Sequence, residues 1–332
     1  MKFSEFRYKV GNRIWAIIVR KFRPTSFYPK IYKSYWHYRF SNENRITKNI
    51  NYYAAKPNPG AGIGHQMANW IAGYWFAQQF GLQFAHSPFS DPKWESILGF
   101  GEGEIAVTDL IKNGYKIVRL PLFDEFNENE IALQKKIIAS YSKQKVVFIA
   151  EQDQGYKDQF GVMQAIKQKF HTAPARKNDQ LIYDDTSFNI AIQVRRGDIV
   201  MGQENKNPNL QMRWQSNDYF EKVLRTVEDN IKTTQPIAIY LFSQGGISDF
   251  PEFQQFENLH FCLDMNVQDS FLNLVKADLL ITSKSSFSYK PALLSNGIKV
   301  CPKDFWHGYP DTDDWILVEN DGSFEVSKLN RL

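Results

Sequence analysis

Ile190-Ala191-Ile192-Gln193-Val194-Arg195-Arg196-Gly197-Asp198 is the stretch on which the fold of this chain turns. Ile190–Val194 is apolar except for Gln193 and too short for a helix, which reads as a strand buried on both faces. Two adjacent arginines and Gly-Asp follow at once. Guanidinium groups at the end of a buried strand are costly unless paired, and their forks fit phosphate oxygens bidentately. An Arg–Asp structural network is the alternative, although at most one of two neighbouring arginines need serve it.

Downstream, helical and strand-like runs alternate: a helix over Tyr219–Thr233, a strand over Ile237–Phe242 and a short strand over His260–Leu263. A helix over Ser270–Lys276, a strand over Leu279–Thr282 and a helix from Tyr289 that Gly297 can stop complete the series. Upstream, Asn42–Pro59 reads as a polar loop, a helix runs from His65 to Gln79, Ile117–Leu120 and Val146–Ile149 look like strands, and residues 158–171 have helical character. Pro174–Asp179 reads as a linker. This alternation predicts two parallel-sheet α/β units, each covered on both faces, with a cleft between them. The expected boundaries are 1–50, 51–178 and 179–332.

Two further clusters lie where a strand or loop meets a helix, the place where α/β sheets present ligand-binding groups. Gly60-Ala61-Gly62-Ile63-Gly64-His65-Gln66 opens a helix with glycines that let backbone approach a ligand. It lacks the Gly-Lys-Ser/Thr end of a Walker loop and is no complete dinucleotide fingerprint; a plain glycine-rich connector is the alternative. Asp278-Leu279-Leu280-Ile281-Thr282-Ser283-Lys284-Ser285-Ser286-Phe287-Ser288 runs from a strand through a hydroxyl-rich turn into a helix. That turn suits anion binding, or simple N-capping.

The 332 residues are 43% hydrophobic and 23% charged, a composition that excludes disordered, collagen-like and disulfide-framework chains. The net charge of +4 conceals a split: residues 1–50 hold 12 Lys/Arg against Glu5 and Glu43, so the remainder is net acidic. In residues 1–40, Phe6, Val10, Ile14, Ile17, Ile18 and Phe22 recur at helical spacing opposite Lys9, Arg13 and Arg20, followed by an aromatic and basic tract from Phe27 to Phe40. This predicts an amphipathic extension resting on an anionic membrane surface, with packing on the body as the alternative. The acidic body carries no nucleic-acid recognition motif. Cys262 and Cys301 suit a reducing compartment as small buried hydrophobes. With no apolar run near the N-terminus long enough for a span or a secretory signal, a cytoplasmic protein peripherally associated with the inner face of the membrane is expected.

The three motifs, in this order and spacing, resemble the GDP-fucose-dependent fucosyltransferase superfamily over about residues 60–305. The resemblance implies a GT-B fold, an acceptor-side N-terminal domain, a C-terminal domain holding the nucleotide sugar, and inverting, metal-independent transfer. It places Arg195 on the donor diphosphate with Arg196 in support, Gln193 and Ser243 near the nucleoside, Asp269 on the guanine edge, and Ser285, Ser286 and Phe287 in the loop closing on the phosphates. Gly62, Gly64, His65 and Gln66 resemble the N-domain loop facing the reaction centre. Glu204 stands where α-1,6 members keep a glutamate and becomes the expected general base, with Asp198 as the alternative if its neighbour Arg196 does not hold it in a structural role. Two positions depart from the pattern: Gln193 replaces a histidine, and Ser243-Gln244 replaces Ser/Thr-Asp-Asp. The donor is therefore GDP-fucose or another nucleotide sugar, and the acceptor a glycan or lipid-linked glycan of a bacterial surface polysaccharide or lipopolysaccharide; a nucleotide- or glycan-binding protein without turnover shares the motifs. Six scattered histidines lack ligand spacing, and Asp311-Thr312-Asp313 reads as a surface turn, so no metal or other cofactor is expected.

Overall fold

The computed structural model describes residues 10, 13–14, 17–18, 21–22, 25, 50–58, 60–120, 123–142, 144–150, 160–200 and 206–330. Most of the predicted extension therefore lies outside the described residues. Of its apolar stripe, Val10, Ile14 and Ile17 are helical and exposed. No helix among the described residues is long and apolar enough to cross a membrane.

The first sheet has five parallel strands: β1 (Tyr52–Ala55), β2 (Gln83–His86), β3 (Ile105–Ala106), β4 (Lys116–Arg119) and β5 (Val146–Ala150), in the spatial order β3-β2-β1-β5-β4. Tyr53 pairs in register with Phe84 on one side and Phe148 on the other. Helix α1 (Ile63–Gln79) follows β1 and is apolar nearly all round, so it is buried nearly all round. Its Trp70 and Phe76 pack with Tyr53, Phe100, Phe123 and Phe148 into an aromatic core. Helices α2 (Pro92–Leu98), α3 (Val107–Lys112), α4 (Glu128–Ser140) and α5 (Met163–Thr172) complete this half. The loop expected over 42–59 contains its central strand: β1 is only four residues long and bounded by polar sequence, so it offers little periodicity to read.

The second sheet has six parallel strands: β6 (Phe188–Gln193), β7 (Ile237–Ser243), β8 (Leu259–Leu263), β9 (Leu279–Ile281), β10 (Ile298–Pro302) and β11 (Trp315–Val318), ordered β11-β10-β9-β6-β7-β8. Between them lie α6 (Pro208–Gln211), α7 (Asn217–Asn230), α8 (Val267–Lys276) and α9 (Ser286–Leu294). On α7, Tyr219, Phe220, Val223, Leu224 and Val227 recur at helical spacing and are buried, while Ser216 caps the helix through Tyr219 N–H. The two expected parallel α/β units are thus present. α8 and α9 start three residues earlier than expected, each at a capping side chain, Asn266 and Ser285. Cys301 is buried, but Cys262 is only half-buried.

The halves share core. Phe271, Leu272 and Val275 of α8 and Leu294 of α9 belong to the aromatic cluster built on the first sheet, and Phe271 meets Trp94 edge-on at 5.3 Å. Leu274 of the same helix points into the core beneath the second sheet. Phe271→Ala should lower stability by about 3–5 kcal/mol, the cost of emptying a fully buried aromatic site. Denaturant unfolding should keep a single transition; two separated transitions would show that the halves unfold independently.

Candidate functional site

Strand order creates the site. From β6 the chain builds β7 and β8 to one side, then returns to lay β9, β10 and β11 on the other. Loops leaving β6 and β9 diverge at this switch point and open a crevice at the carboxyl ends of the strands. Two of the three sequence motifs occupy those loops.

Gln193, the last residue of β6, is buried and accepts a hydrogen bond from Ser283 Oγ across the crevice. Arg195 lies on its lip. Its Nε and Nη2 donate to Asp198 Oδ1 at 3.2 and 2.8 Å, Nη2 also reaches Oδ2 at 3.0 Å, and Nη1 donates to Ser285 Oγ at 3.2 Å. The turn needs Gly197: its φ is +62°, and a Cβ there would stand 2.6 Å from Gln244 Oε1. Ser285 also accepts from Phe287 N–H at 3.2 Å, capping α9, so the guanidinium is fixed beside a helix N-terminus.

Arg196 does something else. It is buried, donates to the carbonyls of Arg195 and Gln215 at 2.8 and 3.2 Å and to Asn217 Oδ1, and its guanidinium stacks 4.4 Å over Trp214. Burial lowers its pKa to about 10, leaving it protonated at neutral pH. Asp198 therefore pairs with Arg195, not with Arg196 as the sequence suggested. Both its oxygens are committed to that pair, which suits a positioning carboxylate better than a general base. Glu204 lies outside the described residues.

A cavity opens beside Arg195, lined by Gln193, Ser243, Asp264, Ser270 and Phe287 among others. Ser243 Oγ donates to Val194 O at 2.7 Å and ties the end of β7 to the end of β6. Asp264, which the sequence did not single out, turns the chain in a left-handed conformation with φ of 52°. Asp269 lines a different groove, with Arg176, Asp179 and Gln268. Because α8 begins at Val267, its next residue, Ser270, faces the cavity instead.

The glycine motif closes the site from the first half. Gly62 precedes α1 in an extended conformation, and no side chain caps that helix. Gly64 abuts α9 so closely that a Cβ would lie 2.8 Å from Ser286 O. His65, half-buried, follows at this contact. Gln66 is turned inward: its amide donates to Ala61 O and Ser90 Oγ at 2.8 and 2.7 Å and accepts from Ser90 N–H at 3.0 Å, holding the loop in shape.

Behind α9 stands a layer the motifs did not indicate. His307 is buried, stacks on Tyr289 at 5.1 Å and lies 3.5 Å from Ser286 Oγ. Burial first, then the charges of Lys290, His65 and Arg213, push its pKa down to about 3, so it is neutral. Lys290 is 1% exposed, with its Nζ 5.3 Å from the Tyr289 ring centroid and no carboxylate partner among the described residues. Burial pushes it down to about 7. Among the described residues no cluster of His, Cys, Asp and Glu is placed to hold a metal ion, and the Asp311 and Asp313 side chains are exposed.

No protein-family model and no curated protein sequence matches the chain. Solved structures overlap with it in part. POFUT1 in complex with GDP covers 77% of this chain and 99% of its own, with a TM-score of 0.47 and 10% identity. A mutant of Arabidopsis thaliana FUT1 in complex with GDP covers 87% and 82%, with a TM-score of 0.45 and 11% identity. NodZ alpha-1,6-fucosyltransferase soaked with GDP-fucose covers 75% and 93%, with a TM-score of 0.38 and 11% identity. Overlaps this loose assign no residue a role.

A lysine whose folded pKa falls below its ordinary 10.5 destabilises the fold once the unfolded chain can protonate. The penalty grows as pH falls from 10.5 and levels off below about 7. Lys290→Met should therefore raise the melting temperature at pH 7, and its advantage over wild type should shrink as the pH is raised towards 10. An advantage independent of pH would mean that the ammonium is compensated.

Proposed function

We propose that this protein is an inverting, metal-independent glycosyltransferase that moves a sugar, fucose from GDP-fucose in the first instance, from a nucleoside diphosphate to a glycan acceptor. The observation that carries this reading is the convergence at one crevice of the Arg195 guanidinium, the Ser285-capped N-terminus of α9 and the uncapped glycine turn before α1. The ordered motifs of the sequence, with their resemblance to GDP-fucose-dependent transferases, agree with it.

In this reading residues 179–332 hold the donor and residues 51–178 face the acceptor. The nucleoside occupies the cavity beside Gln193, Ser243 and Ser270. Its diphosphate meets Arg195, Ser285 and the Ser286 N–H at the start of α9, while the Phe287 N–H stays with Ser285 Oγ and its ring lines the cavity. As the bond from the anomeric carbon to the diphosphate oxygen breaks, the sugar becomes cationic and the leaving group gains negative charge. A fixed guanidinium and helix-terminal N–H groups stabilise that charge without reorganising. Asp198 keeps the fork aimed. The acceptor hydroxyl attacks the opposite face from the side of Gly64 and His65, and Glu204 is the proposed base that takes its proton. The split in charge along the chain supports a peripheral location, residues 1–40 resting on an anionic inner membrane face near a lipid-linked acceptor, in bacterial surface polysaccharide or lipopolysaccharide synthesis.

Gln193 favours keeping a second donor in view. Its carbonyl oxygen is engaged by Ser283, so the amide that a nucleoside meets differs in shape and polarity from an imidazole. A different nucleotide sugar on the same fold is the corresponding alternative.

Arg195→Ala should lower the transfer rate about 10²–10³-fold, the usual loss for one preorganised donor, with unchanged circular dichroism and melting temperature. EDTA should leave the wild-type rate unchanged; strict dependence on a divalent ion would overturn the assignment of Arg195 as the charge stabiliser. A thermal-shift series with GDP, UDP, CMP and ADP should show stabilisation by GDP. Stabilisation by UDP alone would replace the donor, and no shift with any of them would remove the nucleotide site.

A further inference from the structure

Arg213 stands apart from every other arginine near the crevice. Its guanidinium lies 4.9 Å over the ring of Trp306, which is 41% exposed. Its Nε is buried without a hydrogen-bond partner, and it makes no ion pair among the described residues. The electrostatic groups it feels are Arg195 and Asp198, and Asp198 is already committed to Arg195. Burial and the Arg195 charge both depress its pKa, so the site works against a bare cation there.

Arg213 and His65 both act on His307, which in turn reaches Ser286 at the mouth of α9. A chain of contacts thus runs from Arg195 through Ser285 and Ser286 to His307, and Phe305 links His307 to Trp306 at ring separations of 5.0 and 4.3 Å. Arg213 is not among the residues that line the nucleoside cavity beside Arg195. A half-buried guanidinium with an unpartnered Nε beside a part-exposed indole is an arrangement for an acidic group on a ring-shaped ligand: the guanidinium fork takes carboxylate or phosphate oxygens, and the part of the indole that Arg213 and Phe305 leave exposed takes the ring.

We propose that Arg213 and Trp306 form an acceptor subsite for a sugar bearing a carboxylate or phosphate, the sugar ring against Trp306 and the acid on Arg213. This rests on the donor reading above for its orientation: nucleoside in the cavity, diphosphate at Arg195, acceptor beyond it. Arg213 selects the acceptor and has no part in stabilising the leaving group.

The test is binding to the full chain, with and without saturating GDP, of three probes: methyl β-D-glucuronide, glucose 1-phosphate and methyl β-D-glucoside. Titration calorimetry reads the affinities. At least one acidic probe should bind the GDP-loaded protein at least about tenfold more tightly than the neutral glucoside, and Arg213→Met should remove that margin, as expected for one charge-assisted contact. Which acidic probe binds decides between carboxylate and phosphate. Arg213→Lys should recover part of the margin, and Trp306→Ala should weaken both acidic and neutral probes. The GDP-induced thermal shift should be the same in Arg213→Met as in wild type. Displacement of the acidic probes by GDP, equal binding of the neutral glucoside, or unchanged affinity in Arg213→Met would each overturn the subsite. Failure of GDP to bind wild type would overturn the donor reading instead, and the probe titrations without GDP would still decide whether Arg213 holds an acid.

Discussion

A single close approach governs the arrangement of this molecule: the α1 backbone at Gly64 lies against Ser286 at the start of α9, with no room for a Cβ between them. One helix comes from each sheet, and each begins at a strand-order switch. Bringing two helix N-termini together concentrates partial positive charge that protein side chains only partly satisfy, Ser285 on α9 and none on α1. The arginines at the crevice add to that charge instead of cancelling it. Asp198 offsets one guanidinium, and in doing so fixes its direction. The field at the contact therefore favours an anionic ligand before any particular ligand is named.

The two adjacent arginines show how one local pattern divides into two roles. Arg195 stays at the lip, a quarter of its side chain exposed, where its charge is useful to a ligand. Arg196 is folded under Trp214 and saturated by carbonyls, where it pins the start of α7 to the loop after β6. Gly197 makes the division possible by turning the chain into the left-handed region between them and Asp198.

Much of this was written plainly in the sequence. The β6 run, the arginine pair, the serine turn and the glycine turn were all legible because strand-to-helix junctions carry strong local signals, apolar runs broken by Gly, Ser or charge. What was not legible arises from packing between distant segments. The central strand β1 is too short to announce itself. Asp269 and Ser270 are neighbours whose directions differ by about 100° around the helix, and only the start of α8 just after its Asn266 cap decides which one enters the cavity. Lys290 and His307 look like ordinary surface residues in sequence and become buried because α9 is enclosed on every side. Arg213 gains its meaning only from Trp306, which lies 93 positions later in the chain.

The core shared through α8 bears on how such a molecule would admit and release what it binds. Phe271, Leu272 and Val275 are seated among the aromatics of the first sheet while Leu274 is seated beneath the second. Swinging the halves apart would strip water-excluded area from three side chains at once, at about 1.5–3 kcal/mol each for large apolar groups. A wide hinge motion is therefore an expensive way in. Traffic through the crevice is better served by small displacements of the loops at its rim, with the two sheets acting as one fixed frame.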